Sequence, residues 1–206
     1  ASSGIATTTT YFGENASWHD FDNDGFLDLL ISGDKHYLYR NDGNSTFTQV
    51  TEPFVYVVSS QQRYMRGQGV GDLNGDGFVD VYASYANLYN SPSTRNDHLW
   101  MNTCNNNGNH WIKFNCVGGA TAGFSNKNGV GAIIKIYGPW GVQVREVRSG
   151  EGYGLQYSMS QYFGLGSATS VDSITIIWPS GIVDHMLSLG GDQSYTVYEE
   201  IGRAHV

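Results

Sequence analysis

The stretch WHDFDNDGFLDLLIS, residues 18–32, crowds Asp20, Asp22, Asp24 and Asp28 into one loop that runs directly into an apolar strand. Fifty-two residues on, VGDLNGDGFVDVYAS repeats the pattern, with Asp72, Asn74, Asp76 and Asp80 at the matching places. Carboxylates this close repel one another, so the chain must either spread them into solvent or gather them around a cation. The spacing D-x-[DN]-x-D-G-x-x-D favours the second. Alternate side chains of a tight loop turn toward one point, and a glycine at the sixth position, Gly25 or Gly77, permits the sharp bend.

The carbonyl of the seventh residue, Phe26 or Phe78, can add a further oxygen. Six or so hard oxygens with three or four negative charges suit Ca²⁺, which takes 6–8 oxygens in flexible geometry. Mg²⁺ demands a stricter octahedron, and zinc prefers the His and Cys that these loops lack. The loops also differ from an EF-hand, because a strand follows at once and the last acid falls at position nine instead of twelve. Two Ca²⁺ sites are therefore expected. Asp20, Asp22, Asp24, Asp28 and the Phe26 carbonyl form one; Asp72, Asn74, Asp76, Asp80 and the Phe78 carbonyl form the other. A single Asp/Gly-rich turn is common without a metal, but two copies in register are not a chance feature. A glycosidase-type acid–base pair needs two carboxylates in different environments across a cleft, whereas these lie in tandem on one loop.

The loops also explain the charge. The chain carries a net charge of −8, with nineteen acidic residues against eleven Lys and Arg. Seven of the nineteen are the aspartates of the two loops, and the other twelve nearly balance the cations. With no basic cluster there is no electrostatic footprint for nucleic acid. No apolar run approaches the roughly twenty residues that span a membrane. The opening ASSGIATTTT has the small residues expected just after removal of a signal peptide.

Between punctuating Gly, Asn, Asp and Pro, almost every segment alternates or runs apolar for a few residues, as in FLDLLIS, HWIKFNC, GAIIKIYG and SITIIWPSG. No window keeps a helical period, so the chain is expected to be all-β. The repeat continues past the loops: HYLYRN (residues 36–41) matches HLWMN (residues 98–102), each a strand ending in Asn. From Trp111 the acidic loops give way to longer amphipathic strands. The expected divisions are an extended arm over residues 1–13, two calcium-loop repeats over 14–106, and a C-terminal β-sandwich or barrel over 107–206. The expected core is Trp18, Phe26, Leu29, Ile31, Leu38, Phe78, Val81, Trp111, Ile133, Ile136, Phe163, Leu165, Ile174, Ile176 and Trp178.

At these residues the chain resembles known families. DFDNDGFLDLLIS with HYLYRNDGNSTFTQVT, and GDLNGDGFVDVYAS with HLWMN, are similar to FG-GAP/VCBS repeats, the calcium-binding blade units of integrin-type β-propellers. HWIKFNCVGG, NKNGVGAIIKIYG, QYFGLG and VDSITIIWPSG resemble the ASPIC/UnbV domain. The resemblance implies a non-enzymatic, extracellular, calcium-binding protein with adhesive or matrix roles. Propellers close with four to eight blades, and two repeats leave an open partial propeller or a fragment of a larger adhesin.

The remaining candidates are weaker. Cys104 and Cys116 are expected to form a disulfide in an extracellular chain, the alternative being a pair of buried thiols. Asn15 (NAS) and Asn44 (NST) fit the glycosylation sequon in expected loops. His36 and His98 occupy equivalent repeat positions, which points to packing or hydrogen bonding, and no catalytic residue is assigned because no nucleophile motif accompanies them. GEGYG (residues 150–154) reads as a bulged turn and not a phosphate loop. Open sheet edges and a Thr-rich arm over residues 2–13 suggest self-association by strand addition, plausible partners being other copies or extracellular proteins and glycans. The alternative class is a secreted carbohydrate-binding or carbohydrate-active protein.

Overall fold

The computed structural model describes residues 3–5, 13–33, 36–50, 65–88, 91–92, 96–119, 121–199 and 204–205. Among these residues there is no helix, and the elements are strands joined by turns. The all-β expectation holds. The chain divides into two compact units with the main boundary between Cys104 and Asn105. Unit 1 also takes residues 150–157, and unit 2 takes residues 22–25.

Unit 1 holds two small sheets. In the first, β1 (Gly13–His19), β2 (Asp28–Gly33), β3 (Tyr37–Asn41) and β4 (Phe47–Val50) pair antiparallel in chain order. In the second, β5 (Met65–Gly71) pairs β6 (Asp80–Leu88), which also pairs the short β7 (Ser91–Pro92) and β8 (His98–Trp100). Both therefore place an acidic loop between a first and a second strand, as the repeat requires. Apolar side chains of β2, β3, β5 and β6 are buried, among them Leu29, Leu30, Leu38, Tyr39, Val70 and Val81. His36 is buried beside them, its Nε2 3.0 Å from the Tyr85 hydroxyl and its ring edge-on to Trp100. His98 packs against the same Tyr85 and Trp100 rings.

Five members of the expected core lie outside it, Ile31, Trp111 and Ile133 being only half-buried beside the enclosed Leu30, Ile112 and Ile134. Trp18 is 50% exposed and Phe26 47%. Successive side chains of a strand alternate faces, and in β1 it is Asn15 and Ser17 that point inward. Trp18 lies opposite Leu29 and edge-on to Phe47, so it covers the sheet without being enclosed by it. Asn15 is consequently a strand residue and not a loop residue. It is buried, and its Oδ1 accepts a hydrogen bond from the Tyr153 N–H at 3.1 Å, which leaves no room for a glycan. Asn44 lies exposed in the turn between β3 and β4. Of the expected N-terminal arm only residues 3–5 and 13 are described. The Ser3 carbonyl accepts from the Phe47 N–H at 2.8 Å, so this part of the arm returns along β4.

Unit 2 is a sandwich. One sheet runs β11 (Gly141–Glu146), β10 (Ile133–Gly138), β13 (Ser170–Ile177), β14 (Val183–Gly190); the other runs β12 (Gln161–Gly166), β9 (His110–Val117), β15 (Gln193–Tyr198), β16 (Ala204–His205). Pairing is antiparallel except for β9 with β15. The alternation is regular: Ile112, Phe114 and Cys116 of β9 point inward, as do Ile134 and Ile136 of β10 and Ile174 and Ile176 of β13. These join Phe163, Leu165, Trp178 and Val197 in one apolar cluster drawn from both sheets. No closed barrel is present among the described residues, so the sandwich form of the expectation is the observed one.

The alternation also corrects the disulfide. No disulfide joins Cys104 to Cys116. Cys116 takes the third inward position of β9 and packs in the sandwich core as a small apolar side chain, where burial pushes its thiol up to about 12. Cys104 belongs to unit 1.

Candidate metal centre

In the first loop, oxygens of Asp20, Asp22 and Asp28 lie within 4.8 Å of one another. Asp20 and Asp28 are buried and Asp22 is half-buried. At that separation two like charges repel by on the order of 3 kcal/mol at an effective dielectric constant near 20. Three carboxylates held together in this way fit a hard dication. Asp24 is outside this group, and its N–H donates to Asp22 Oδ1 at 3.3 Å. The glycines at position six do what the spacing demanded, with φ of 98° at Gly25 and 85° at Gly77.

The ninth-position aspartates have a second duty that is the same in both repeats. Asp28 Oδ2 accepts the Phe21 N–H at 2.9 Å and its Oδ1 accepts the Asn41 N–H at 2.8 Å. Asp80 Oδ2 accepts the Leu73 N–H at 2.8 Å and its Oδ1 accepts the Asn102 N–H at 2.7 Å. The two asparagines complete the clamp, Asn41 Nδ2 donating to the Leu27 carbonyl and Asn102 Nδ2 to the Val79 carbonyl, each at 3.1 Å. Asn41 and Asn102 are thus site residues that were not assigned from the loop spacing. Their signal was the Asn that ends both HYLYRN and HLWMN. A carboxylate has about four lone-pair positions, so these bonds leave Asp28 able to bind a cation as well.

The second loop is arranged differently. Asp72 accepts the Gly75 N–H at 2.7 Å and the Gly77 N–H at 3.1 Å. Asn74 Nδ2 donates to Asp76 Oδ2 at 2.9 Å, and Asp76 Oδ1 accepts the Phe78 N–H at 2.9 Å. Its carboxylates are turned to the loop's own backbone, and Asp72, Asp76 and Asp80 do not converge as the first set does. Phe78 is buried where its counterpart Phe26 is exposed.

Paired acidic turns, each bridging two strands and locked by an Asp–Asn clamp, followed by a β-sandwich, define an all-β protein of acidic-loop repeats. Residues 20–83 match the FG-GAP-like repeat family, and residues 123–204 match the ASPIC and UnbV family. The chain therefore joins an FG-GAP-like repeat segment to an ASPIC and UnbV domain; the VCBS likeness rests on resemblance alone. No curated protein matches the chain. FG-GAP repeats are typical of extracellular proteins. Among the described residues no helix is long and apolar enough to cross a membrane.

Proposed function

We propose that this chain is a non-enzymatic, extracellular structural or adhesive module whose repeat loops are braced by Ca²⁺. The observation that carries the reading is the convergence of Asp20, Asp22 and Asp28 in a loop of the FG-GAP type. In this reading the first loop binds through these carboxylates, with Asp24 and the Phe26 carbonyl completing the shell. The second binds through Asp72, Asn74, Asp76, Asp80 and the Phe78 carbonyl after its hydrogen bonds rearrange. Bound Ca²⁺ supplies charge neutralisation and cross-linking of loop to strand, with no chemistry of its own. Partners are other copies of the chain, or extracellular proteins and glycans. Self-association by strand addition requires residues 3–5 to exchange their contact on β4 for the same contact on a neighbour, which is a domain swap.

The test is calorimetric titration of EDTA-treated protein with Ca²⁺, together with melting in EDTA and in Ca²⁺. Binding confined to the folded state raises stability by about 2.7 kcal/mol at a hundredfold excess over Kd. Two sites are expected, with Asp28→Ala removing the first and Asp76→Ala the second. Absence of heat, of bound calcium in elemental analysis and of any melting shift would sink the reading. The assembly part is read separately: full-length and residue 1–12-deleted chains that sediment alike as monomers at high concentration contradict it.

A further inference from the structure

The tip of the first loop, residues 22–25, is held by side chains of unit 2, to which it belongs. Asn107 Nδ2 and Asn109 Nδ2 both donate to the Asp22 carbonyl, at 2.6 and 2.9 Å. Asn107 Oδ1 in turn accepts the Asn109 N–H at 2.8 Å, so the NNNGN turn presents the two amides as one fixed pair. The Gly166 N–H, freed by a bulge in the pairing of β12 with β9, donates to the Asn23 carbonyl at 2.9 Å. Two consecutive peptide planes of the loop are therefore pinned by three donors.

The need for pinning is visible at position four. Asn23 is buried with φ of 56°, a left-handed conformation that costs a non-glycine residue on the order of 1–2 kcal/mol. The matching residue of the second loop is Gly75, which adopts φ of 80° without that cost. The second loop bends because its sequence allows it, and the first bends because it is held. Both amides also occupy the Asp22 carbonyl as an acceptor, which leaves the Asp22 carboxylate as the oxygen donor directed at Asp20 and Asp28.

We propose that Asn107 and Asn109, with the Gly166 N–H, are positioning residues that preorganise the first loop for Ca²⁺ and make it the tighter of the two sites. This rests on the calcium reading above. The experiment uses the full chain with Asp76→Ala, so that only the first loop binds, and compares it with the same chain carrying Asn107→Ala and Asn109→Ala. Affinity is read by Ca²⁺ calorimetry and by Tb³⁺ luminescence excited through tryptophan, and metal-free melting is read in EDTA. Outer-shell partners of metal ligands are worth about 10–100-fold in affinity, and Kd is expected to rise about tenfold while metal-free melting moves little. An unchanged Kd overturns the proposal, and so does a fall in metal-free melting with Kd unchanged, which marks a purely structural brace. If the double variant does not fold, Asn109→Ala alone, with the Asn107 turn intact, is expected to raise Kd several-fold, and no rise overturns the proposal equally. A parent chain that binds no Ca²⁺ instead defeats the calcium reading of the first loop, a distinguishable result.

Discussion

Glu199 is a buried carboxylate of unit 2 that accepts four hydrogen bonds, so the effect of removing it can be worked out. It is 3% exposed. Its Oε2 accepts the N–H groups of Gly119 and Ser125 at 3.0 and 2.7 Å, and its Oε1 accepts the hydroxyls of Ser125 and Ser180 at 2.9 and 2.5 Å. One side chain thus ties the end of β15 to the loop after β9 and to the Trp178–Ile182 turn. In Glu199→Ala the hydroxyls can turn elsewhere, but the two N–H groups cannot, and each orphaned donor costs about 1–3 kcal/mol. Relief of carboxylate burial returns part of this, leaving a loss of about 3 kcal/mol, or about 6–12 °C in Tm for a chain of this size. Glu199→Gln should cost less, about 1–2 kcal/mol, because its Oε1 can face both N–H groups while its amide donates to the serine oxygens.

The same group sets a pH dependence. Burial alone would raise the Glu199 carboxyl, but the hydrogen bonds from Ser180, Gly119 and Ser125 outweigh it and hold the group below its ordinary 4.5. A carboxyl that is more acidic folded than unfolded contributes stability above the unfolded value and loses it as pH falls through the folded one. The gap between wild type and Glu199→Gln should therefore be full at pH 7 and narrow as pH falls below the ordinary carboxyl value of 4.5. Thermal unfolding followed by circular dichroism from pH 7 to pH 3 measures both effects. An alanine variant melting within about 2 °C of wild type, or a wild-type/Gln gap that does not change with pH, would refute the reasoning.

The other predictions follow from single contacts. Both cysteines should react with a thiol reagent in denaturant, whereas native Cys116 should stay unlabelled at pH 8, as intact-mass spectrometry would show; a disulfide would leave neither reactive. Gly43→Ala should cost roughly 1–2 kcal/mol in urea unfolding, because φ there is 71° and a new Cβ would fall 2.7 Å from the Phe26 ring. Expression in a glycosylating host should place glycan on Asn44 and none on Asn15, read by peptide mapping. Asn102→Ala should lower stability by about 1–3 kcal/mol, since it removes the amide that donates to the Phe21 and Val79 carbonyls at 2.7 and 3.1 Å, while Asn102→Asp, which keeps the shape but loses the donor, should be no better.

The parts of this molecule legible in its sequence are those governed by short-range pattern. Period-two alternation identifies the inward face of β13, and the D-x-[DN]-x-D-G spacing identifies both loops with their left-handed glycines. In β9 and β10, however, the apolar neighbours Trp111 and Ile133 stand on the outer face while Ile112 and Ile134 are enclosed. Trp18 and Phe26 escape the same logic because hydrophobicity marks what avoids water, not which face of a strand or loop it occupies. Asn15 shows the converse, a polar residue in a sequon that the alternation of β1 turns inward. The clamp of Asn41 and Asn102 was half visible as a repeated strand end, but its partners lie 13 and 22 residues away from Asp28 and Asp80. Glu199 and the Asn107–Asn109 pair were not visible, since their meaning lies chiefly in contacts 74 to 87 residues distant.

The double use of Asp28 and Asp80 bears on how the metal relates to the fold. Each of these carboxylates already joins the first residues of its loop to the Asn that closes the repeat, through charge-assisted bonds worth more than neutral ones. The strand pairs on either side of the loop are therefore tied together by protein groups alone. What those bonds do not supply is relief of the repulsion among Asp20, Asp22 and Asp28, which grows as the loop closes. A dication bound there would act on that term, so its free energy would be concentrated at the tip of the loop and not in the sheet. On the proposed calcium reading, this would separate the chain from domains whose metal creates the fold outright. It also explains why the two loops can share one spacing and differ in readiness. The second satisfies its backbone with its own carboxylates and must give up hydrogen bonds to bind, whereas the first has its tip held by Asn107, Asn109 and Gly166 with its carboxylates gathered.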